Sequence, residues 1–159
     1  MNVRLTWYEV RQAALVGVDR YVRALKDGRE DAHGLEQKGA DGLALHVLGA
    51  AGELAFAKAT NRFWSGSIDT FSNPDVGAIQ VRTRSKHDYE LLVRVKDDDE
   101  AIYVLVTGQI PEFRVRGWMF GKEAKRKEWA LTHGDRPSAF FVPHDEMRAI
   151  EDLCPRRLL

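Results

Sequence analysis

Asn73-Pro74-Asp75-Val76-Gly77-Ala78-Ile79-Gln80-Val81-Arg82-Thr83-Arg84 decides how this chain is read. The stretch opens as a turn, because proline presets φ and the short polar side chains around it bond locally to backbone. It continues as a strand, in which Ile79, Val81 and Thr83 alternate with Gln80, Arg82 and Arg84. Period-two alternation puts Gln80, Arg82 and Arg84 on one face and points Val81 the other way, into a core. Asp75 and Gln80 lie five positions apart, so an unbroken strand would send them to opposite faces. A β-bulge hosted by Gly77 is the expected correction.

Downstream, more strands follow. Tyr89, Leu91, Val93 and Val95 alternate with Glu90, Leu92, Arg94 and Lys96. The segment Lys96-Asp97-Asp98-Asp99-Glu100 reads as a solvated hairpin turn. Ala101 to Thr107 is apolar on both faces and is therefore a central strand. Glu112 to Met119 alternates again. Gly121 to Leu131 is expected to be a short charged helix, Ser138 to Val142 a last strand, and the chain from Pro143 to Leu153 a last helix.

Upstream, Thr6 and Glu9 form a capping-box pattern. Val10, Ala14, Val18, Tyr21 and Leu25 recur behind it at helical spacing, giving a helix over 7–26 that ends near Gly28. Asp27 to Gly39 is polar and reads as a loop. A second helix spans Asp41 to Thr60, with Leu43, Val47, Ala51, Leu54 and Lys58 on one stripe. Gly49 and Gly52 interrupt it at about 1 kcal/mol each relative to alanine. Close packing on a sheet accounts for them more readily than a substrate backbone does. The order α-α-β-β-β-β-α-β-α, with hairpin-like links in the middle, implies an α/β (α+β) fold in which helices flank a mixed central sheet.

Composition narrows the function classes. The 159 residues carry 24 Lys plus Arg against 24 Asp plus Glu, so any nucleic-acid contact must come from local clusters. One single domain over 1–159 is expected. The lone Cys154 excludes an intrachain disulfide and a cysteine-based zinc cluster. There is no uninterrupted apolar run of about 18 residues, so no membrane span is expected. The N-terminal residues lack the apolar centre of a signal peptide, which leads to the expectation of a cytoplasmic protein. No Walker loop, dinucleotide fingerprint or nucleophile elbow is present.

Three features carry chemistry: Glu53 in Gly49-Ala50-Ala51-Gly52-Glu53-Leu54-Ala55, the Asp75 turn, and Gln80-Val81-Arg82. Together they supply oxygen ligands and a cation, the set needed for Mg²⁺-assisted phosphodiester hydrolysis. Pro74-Asp75 followed by Gln80-Val81-Arg82, behind a helix carrying Gly52-Glu53, resembles the PD-(D/E)XK nuclease superfamily. The run 75–84, with Tyr103-Val104-Leu105-Val106, Val115-Arg116-Gly117-Trp118 and Ala124-Lys125-Arg126, is similar to small phage and prophage members, over residues 43–130. The resemblance implies a restriction-endonuclease-like fold and a Mg²⁺- or Mn²⁺-dependent DNA endonuclease or exonuclease in phage DNA metabolism, acting in a bacterial host cell, with a homodimer as one arrangement. It makes Asp75 the main metal ligand, Gln80 a replacement for the second acid, Arg82 a replacement for the lysine, and Glu53 the acid from the helix. The backbone carbonyl of Val81 is a further ligand in that scheme. Gln80 is neutral and Arg82 cannot shuttle a proton. These departures also suit a catalytically weakened nucleic-acid-binding protein on the same fold, and a phage protein that binds a host protein is a third reading.

Basic residues cluster in two runs, and Arg84, Lys86, Lys122 and Lys125 are the expected phosphate contacts. Trp64, Trp118 and Trp129 suit core packing better than base stacking. The histidines show no metal-ligand spacing. His46, two helical turns before Glu53, reads as structural.

Overall fold

The structure, a computed structural model, describes residues 1–27, 40–68, 74–132, 134 and 137–153. The helix end at Gly28, the loop to Gly39, Asn73, His33, His133 and Cys154 lie outside the described residues.

The chain begins with a short strand β1 (Asn2–Arg4), which the sequence reading did not include. Thr6 then caps α1 (Trp7–Lys26) as the pattern predicts: its hydroxyl accepts from Glu9 N at 3.3 Å, and Glu9 Oε2 accepts from Thr6 N at 2.6 Å. Such a cap is worth about 1 kcal/mol. Glu9 Oε2 also takes Lys58 Nζ at 2.7 Å, tying the start of α1 to the end of α2 (Ala40–Thr60).

The buried stripe of α1 is displaced from the expected one. Ala13 and Gly17 are buried, whereas Val18 and Leu25 are 39% and 58% exposed. The cause is backbone approach: a Cβ on Gly17 would stand 2.7 Å from Val47 N, so only glycine lets the helices come this close. In α2, Ala50, Ala51, Gly52, Glu53, Ala55, Phe56 and Ala57 are all buried. The helix is enclosed on several sides there, so the single stripe read from Leu43 to Lys58 does not describe it. By length and composition α2 could also cross a membrane, although no unbroken apolar run is present; here it packs against α1 and the strands.

The remaining strands are β2 (Ile79–Arg84), β3 (Leu91–Arg94), β4 (Ile102–Gln109), β5 (Glu112–Phe120), β6 (Ala130–Leu131) and β7 (Ala139–Val142). Among the described residues they form two sheets. The larger has the order β1-β5-β4-β2 and is mixed, since β2 runs parallel to β4 while the other pairs are antiparallel. The smaller is antiparallel, in the order β3-β7-β6. Thus β3 leaves the larger sheet, and the expected chain of hairpins holds only for β4 and β5.

The central strand is β4, buried on both faces as its composition requires. Val104 and Val106 join Ile79, Val81, Ala51 and Phe56 in one apolar cluster. Tyr103 and Leu105 join Leu91, Val93, Trp129 and Val142 in a second. The layers are therefore helices, mixed sheet and small sheet, with β2 at the edge of the middle layer. This agrees with the α/β class.

Two expected helices are not formed as read. From Gly121 the chain makes only α3 (Gly121–Ala124), a 3₁₀ turn at Lys127–Trp129, and then β6. Lys125 ends α3 by reaching back to the carbonyls of Val95 and Asp97, and Trp129 turns into the second cluster. After Pro143 come two 3₁₀ turns, His144–Glu146 and Ile150–Leu153. Between them Arg148 exchanges two backbone hydrogen bonds of 3.0 Å with Trp118 on β5, which a continuous helix could not do.

Candidate metal and phosphate site

The turn before β2 folds Asp75 back alongside the strand it precedes. Asp75 N and Val76 N donate to Ile79 O at 2.9 and 3.1 Å, and Ile79 N donates to Val76 O at 3.1 Å. Gly77 sits at φ 63° within this reversal, a conformation that favours glycine. The bulge expected at Gly77 is therefore a tight turn instead, and the five-residue offset ceases to be an obstacle. Asp75 Oδ2 accepts from Val81 N at 2.6 Å.

This bond fixes the orientation of the strand edge. In a β-strand the N–H and C=O of one residue point the same way. The Val81 carbonyl therefore faces the open edge of β2, on the side where Asp75 lies. Asp75 Oδ1 has no hydrogen-bond donor among the described residues.

Glu53, only 5% exposed, approaches from α2 on the helix face of the sheet. Its position depends on its neighbour: Gly52 lies against the Thr83 side chain of β2, where a Cβ would come within 2.6 Å of Thr83 Cγ2. Both oxygens of the Glu53 carboxylate accept hydrogen bonds. Arg20 of α1 holds it in a two-pronged fork, NH1 to Oε1 at 2.6 Å and NH2 to Oε2 at 2.9 Å. Trp64 Nε1 donates to Oε2 at 3.0 Å. The third Arg20 nitrogen, Nε, donates to Ser67 O at 3.0 Å.

Electrostatics links the two acids. Burial raises the Asp75 pKa from 3.8 to about 6, and the neighbouring Glu53 charge adds to the rise. The Val81 N–H and the charges of Arg82 and Arg20 oppose it. Burial also works against the Arg20 charge, yet Glu53, with help from Asp75, leaves the Arg20 pKa raised.

Gln80, Arg82 and Arg84 lie on the other face of β2, as the alternation predicts. Gln80 is half-buried and makes no side-chain hydrogen bond among the described residues. Arg82 is occupied: its NH2 donates to Asp97 Oδ2 at 2.9 Å and its guanidinium lies 5.0 Å from the Tyr103 ring centre. Asp97 was read as part of a solvated turn, but its side chain is only 10% exposed and it also accepts from Arg94 N at 2.9 Å. It closes the turn locally and anchors the arginine.

Arg84 and Lys86 both lie over the Tyr89 ring, at 4.8 and 5.4 Å from its centre. Burial lowers the Arg84 pKa. Neither cation has an ion-pair partner among the described residues. Lys122 and Lys125 are placed differently. Lys122 pairs with Glu100 at 3.1 Å. Lys125 Nζ, on a side chain 17% exposed, bonds to Val95 O, Asp97 O and Asp99 Oδ1 at 2.9, 2.5 and 2.6 Å. Its donors are consumed in holding the corner at 95–100, which corrects its reading as a phosphate contact.

Trp64 is tied to Glu53, Trp118 donates to Ala149 O at 2.9 Å, and Trp129 is buried. His46 packs its ring against Tyr21. Arg20 escaped the sequence reading, though a signal was present. It follows Ala13 and Gly17 at the spacing of the buried stripe of α1, and a charge on such a stripe requires a partner.

No family model, curated protein or solved structure matches this chain.

The oxygen groups near Asp75 can be tested against a divalent cation. Asp75 Oδ1 and the Val81 carbonyl are hard donors on one edge, and the effect of Glu53 on the Asp75 pKa is that of a nearby like charge. Among the described residues no three acidic, histidine or cysteine side chains converge. The residues fit an ion such as Mg²⁺ or Mn²⁺ that keeps several waters, rather than one needing a closed protein cage.

Proposed function

We propose that this chain is a nuclease-like protein acting on DNA through a Mg²⁺ or Mn²⁺ centre at Asp75 on the open edge of β2. The observation that carries the reading is the half-buried Asp75 carboxylate, held beside the Val81 backbone and within the field of Glu53. Two acids sharing a poorly solvated edge are disfavoured without a cation near them. Asp75 and the Val81 carbonyl would hold the ion, with Glu53 as the second acid. Such an ion, when bound, polarises the phosphoryl oxygen and lowers the pKa of a bound water.

The chain's own residues would do the rest. Arg84 at the end of β2 and Lys86 just beyond it have no ion-pair partner among the described residues and would hold backbone phosphate, with the Tyr89 ring fixing their positions. At ~3.3 Å per residue, Val81 and Arg84 are separated by about 10 Å, so one strand spanning a few nucleotides could engage both. Gln80 projects beside this path and would contribute an amide oxygen or nitrogen. Arg82, committed to Asp97, would contribute field rather than a direct clamp.

A second reading is favoured by a specific observation: Arg20 already neutralises Glu53. On that reading the protein binds DNA on the same surface and does not cut it. Incubation of supercoiled and branched DNA with Mg²⁺ or Mn²⁺ separates the two. Cleavage that is lost in Asp75→Asn supports the nuclease. Salt-sensitive binding without cleavage supports the binding module, and absence of both leaves the third expectation, a protein-binding role.

A further inference from the structure

We infer that Arg20 is a built-in cation that holds the acid pair in the metal-free protein, and that a divalent ion must displace it to gain Glu53. This rests on the reading of Asp75 and Glu53 as metal ligands. The fork is made of 2.6 and 2.9 Å contacts between side chains that are 16% and 7% exposed. Arg20 Nε donates to Ser67 O at 3.0 Å, so the guanidinium is fixed from two sides. Asp75 also contributes to the electrostatic stabilisation of Arg20. One positive charge thus serves two carboxylates that come from different elements.

A guanidinium fork satisfies carboxylate geometry with high specificity. It occupies both oxygens of Glu53, and Trp64 Nε1 adds a third donor to Oε2. An incoming cation therefore meets Asp75 first, and Glu53 becomes available only when Arg20 swings away. Arg20 is a positioning residue that sets the metal affinity of the site; it does not touch the reacting atoms.

Removing Arg20 leaves the buried Glu53 and the half-buried Asp75 without their cation. The Arg20→Gln variant is expected to lose thermal stability in EDTA and to recover it with Mn²⁺ or Ca²⁺, by a larger rise in Tm than the wild-type chain shows at the same ion concentration. Its Mn²⁺ affinity, measured by titration calorimetry, is expected to be at least about tenfold tighter, because a repelling unit charge close to the ion has gone. The double variant Arg20→Gln/Glu53→Gln removes the stranded charge together with the fork. It is expected to recover stability in EDTA and to lose the ion-dependent rise in Tm.

If Arg20→Gln is destabilised and no ion restores it, while the double variant folds in EDTA without ion dependence, Arg20 is only a structural partner of Glu53 and the inference is overturned. If Arg20→Gln does not fold at all, Arg20→Lys provides the comparison. Lysine keeps the charge without the fork, so tighter Mn²⁺ binding than wild type supports the inference and unchanged or weaker binding overturns it. Tight Mn²⁺ binding by Arg20→Gln, with no DNA cleavage by either protein, would uphold the inference and refute the nuclease reading. Cleavage by wild type with no gain in ion affinity on losing Arg20 would do the reverse.

Discussion

The close seat of α2 on β2 predicts a sharp contrast between two glycines three residues apart. A Cβ at Gly52 would lie 2.6 Å from Thr83 Cγ2 and 2.8 Å from Thr83 Cβ. Thr83 Cβ is fixed by the strand, so the helix itself must move. Overpacking of this kind costs about 1–3 kcal/mol, against a gain of about 1 kcal/mol from replacing a helical glycine with alanine. Gly52→Ala should therefore destabilise the fold by up to about 2 kcal/mol. A Cβ at Gly49 meets nothing within 4 Å, so Gly49→Ala keeps the propensity gain of about 1 kcal/mol. Urea denaturation should show the two midpoints moving in opposite directions with unchanged m-values. Adding Thr83→Ala to Gly52→Ala removes the Thr83 hydroxyl and methyl from the clash. The hydroxyl is buried without a hydrogen-bond partner among the described residues, so its own loss should cost little. A coupling of at least about 0.5 kcal/mol between these two changes is expected for residues in contact. If Gly52→Ala is as stable as Gly49→Ala, α2 does not sit on β2 as described, and the placement of Glu53 next to Gly52 fails with it.

Further outcomes follow from the same geometry. The folded-state pKa of Asp75 lies above the unfolded 3.8, so the unfolded chain binds fewer protons between that value and about 6, and Asp75 lowers stability as pH rises through this window. Asp75→Asn, which keeps an acceptor for Val81 N, should accordingly stabilise the metal-free protein by up to about 3 kcal/mol above pH ~7 and have little effect near pH ~4, measured by denaturation across pH. Trp64→Phe keeps an aromatic ring but removes the 3.0 Å donor to Glu53, and should cost about 2 kcal/mol in the same assay. Replacing Arg84 and Lys86 with alanine should lower the salt dependence of DNA binding by about one unit of slope each, whereas Lys125→Met should reduce stability and leave that slope unchanged; equal slopes for both proteins would refute the assignment of the phosphate path.

The strand face of β2 and the central place of β4 were legible because period-two alternation and a two-sided apolar run are direct consequences of sheet geometry. Asp75 was legible as a turn residue, but the way the turn brings it beside Val81 depends on hydrogen bonds to Ile79 and on Gly77 at positive φ, which spacing alone does not encode. The exchange of β3 into a second sheet was hidden because its alternation is the same whichever sheet it joins. The helix expected over Gly121–Leu131 failed where Lys125 found nearby carbonyls and Trp129 found the core. Glu53 is buried among the small Gly and Ala neighbours that surround it in the sequence. Its partner Arg20 lies 33 positions away, and only the packing of α1 on α2 brings the two together.

A crystal soaked in Mn²⁺ and examined by anomalous diffraction tests the metal centre most directly. The account predicts one strong peak about 2.1 Å from Asp75 Oδ1 and the Val81 carbonyl, with the Glu53 carboxylate turned away from Arg20 and toward the ion. A clean map with Arg20 still forked on Glu53 and no peak at the β2 edge would contradict it.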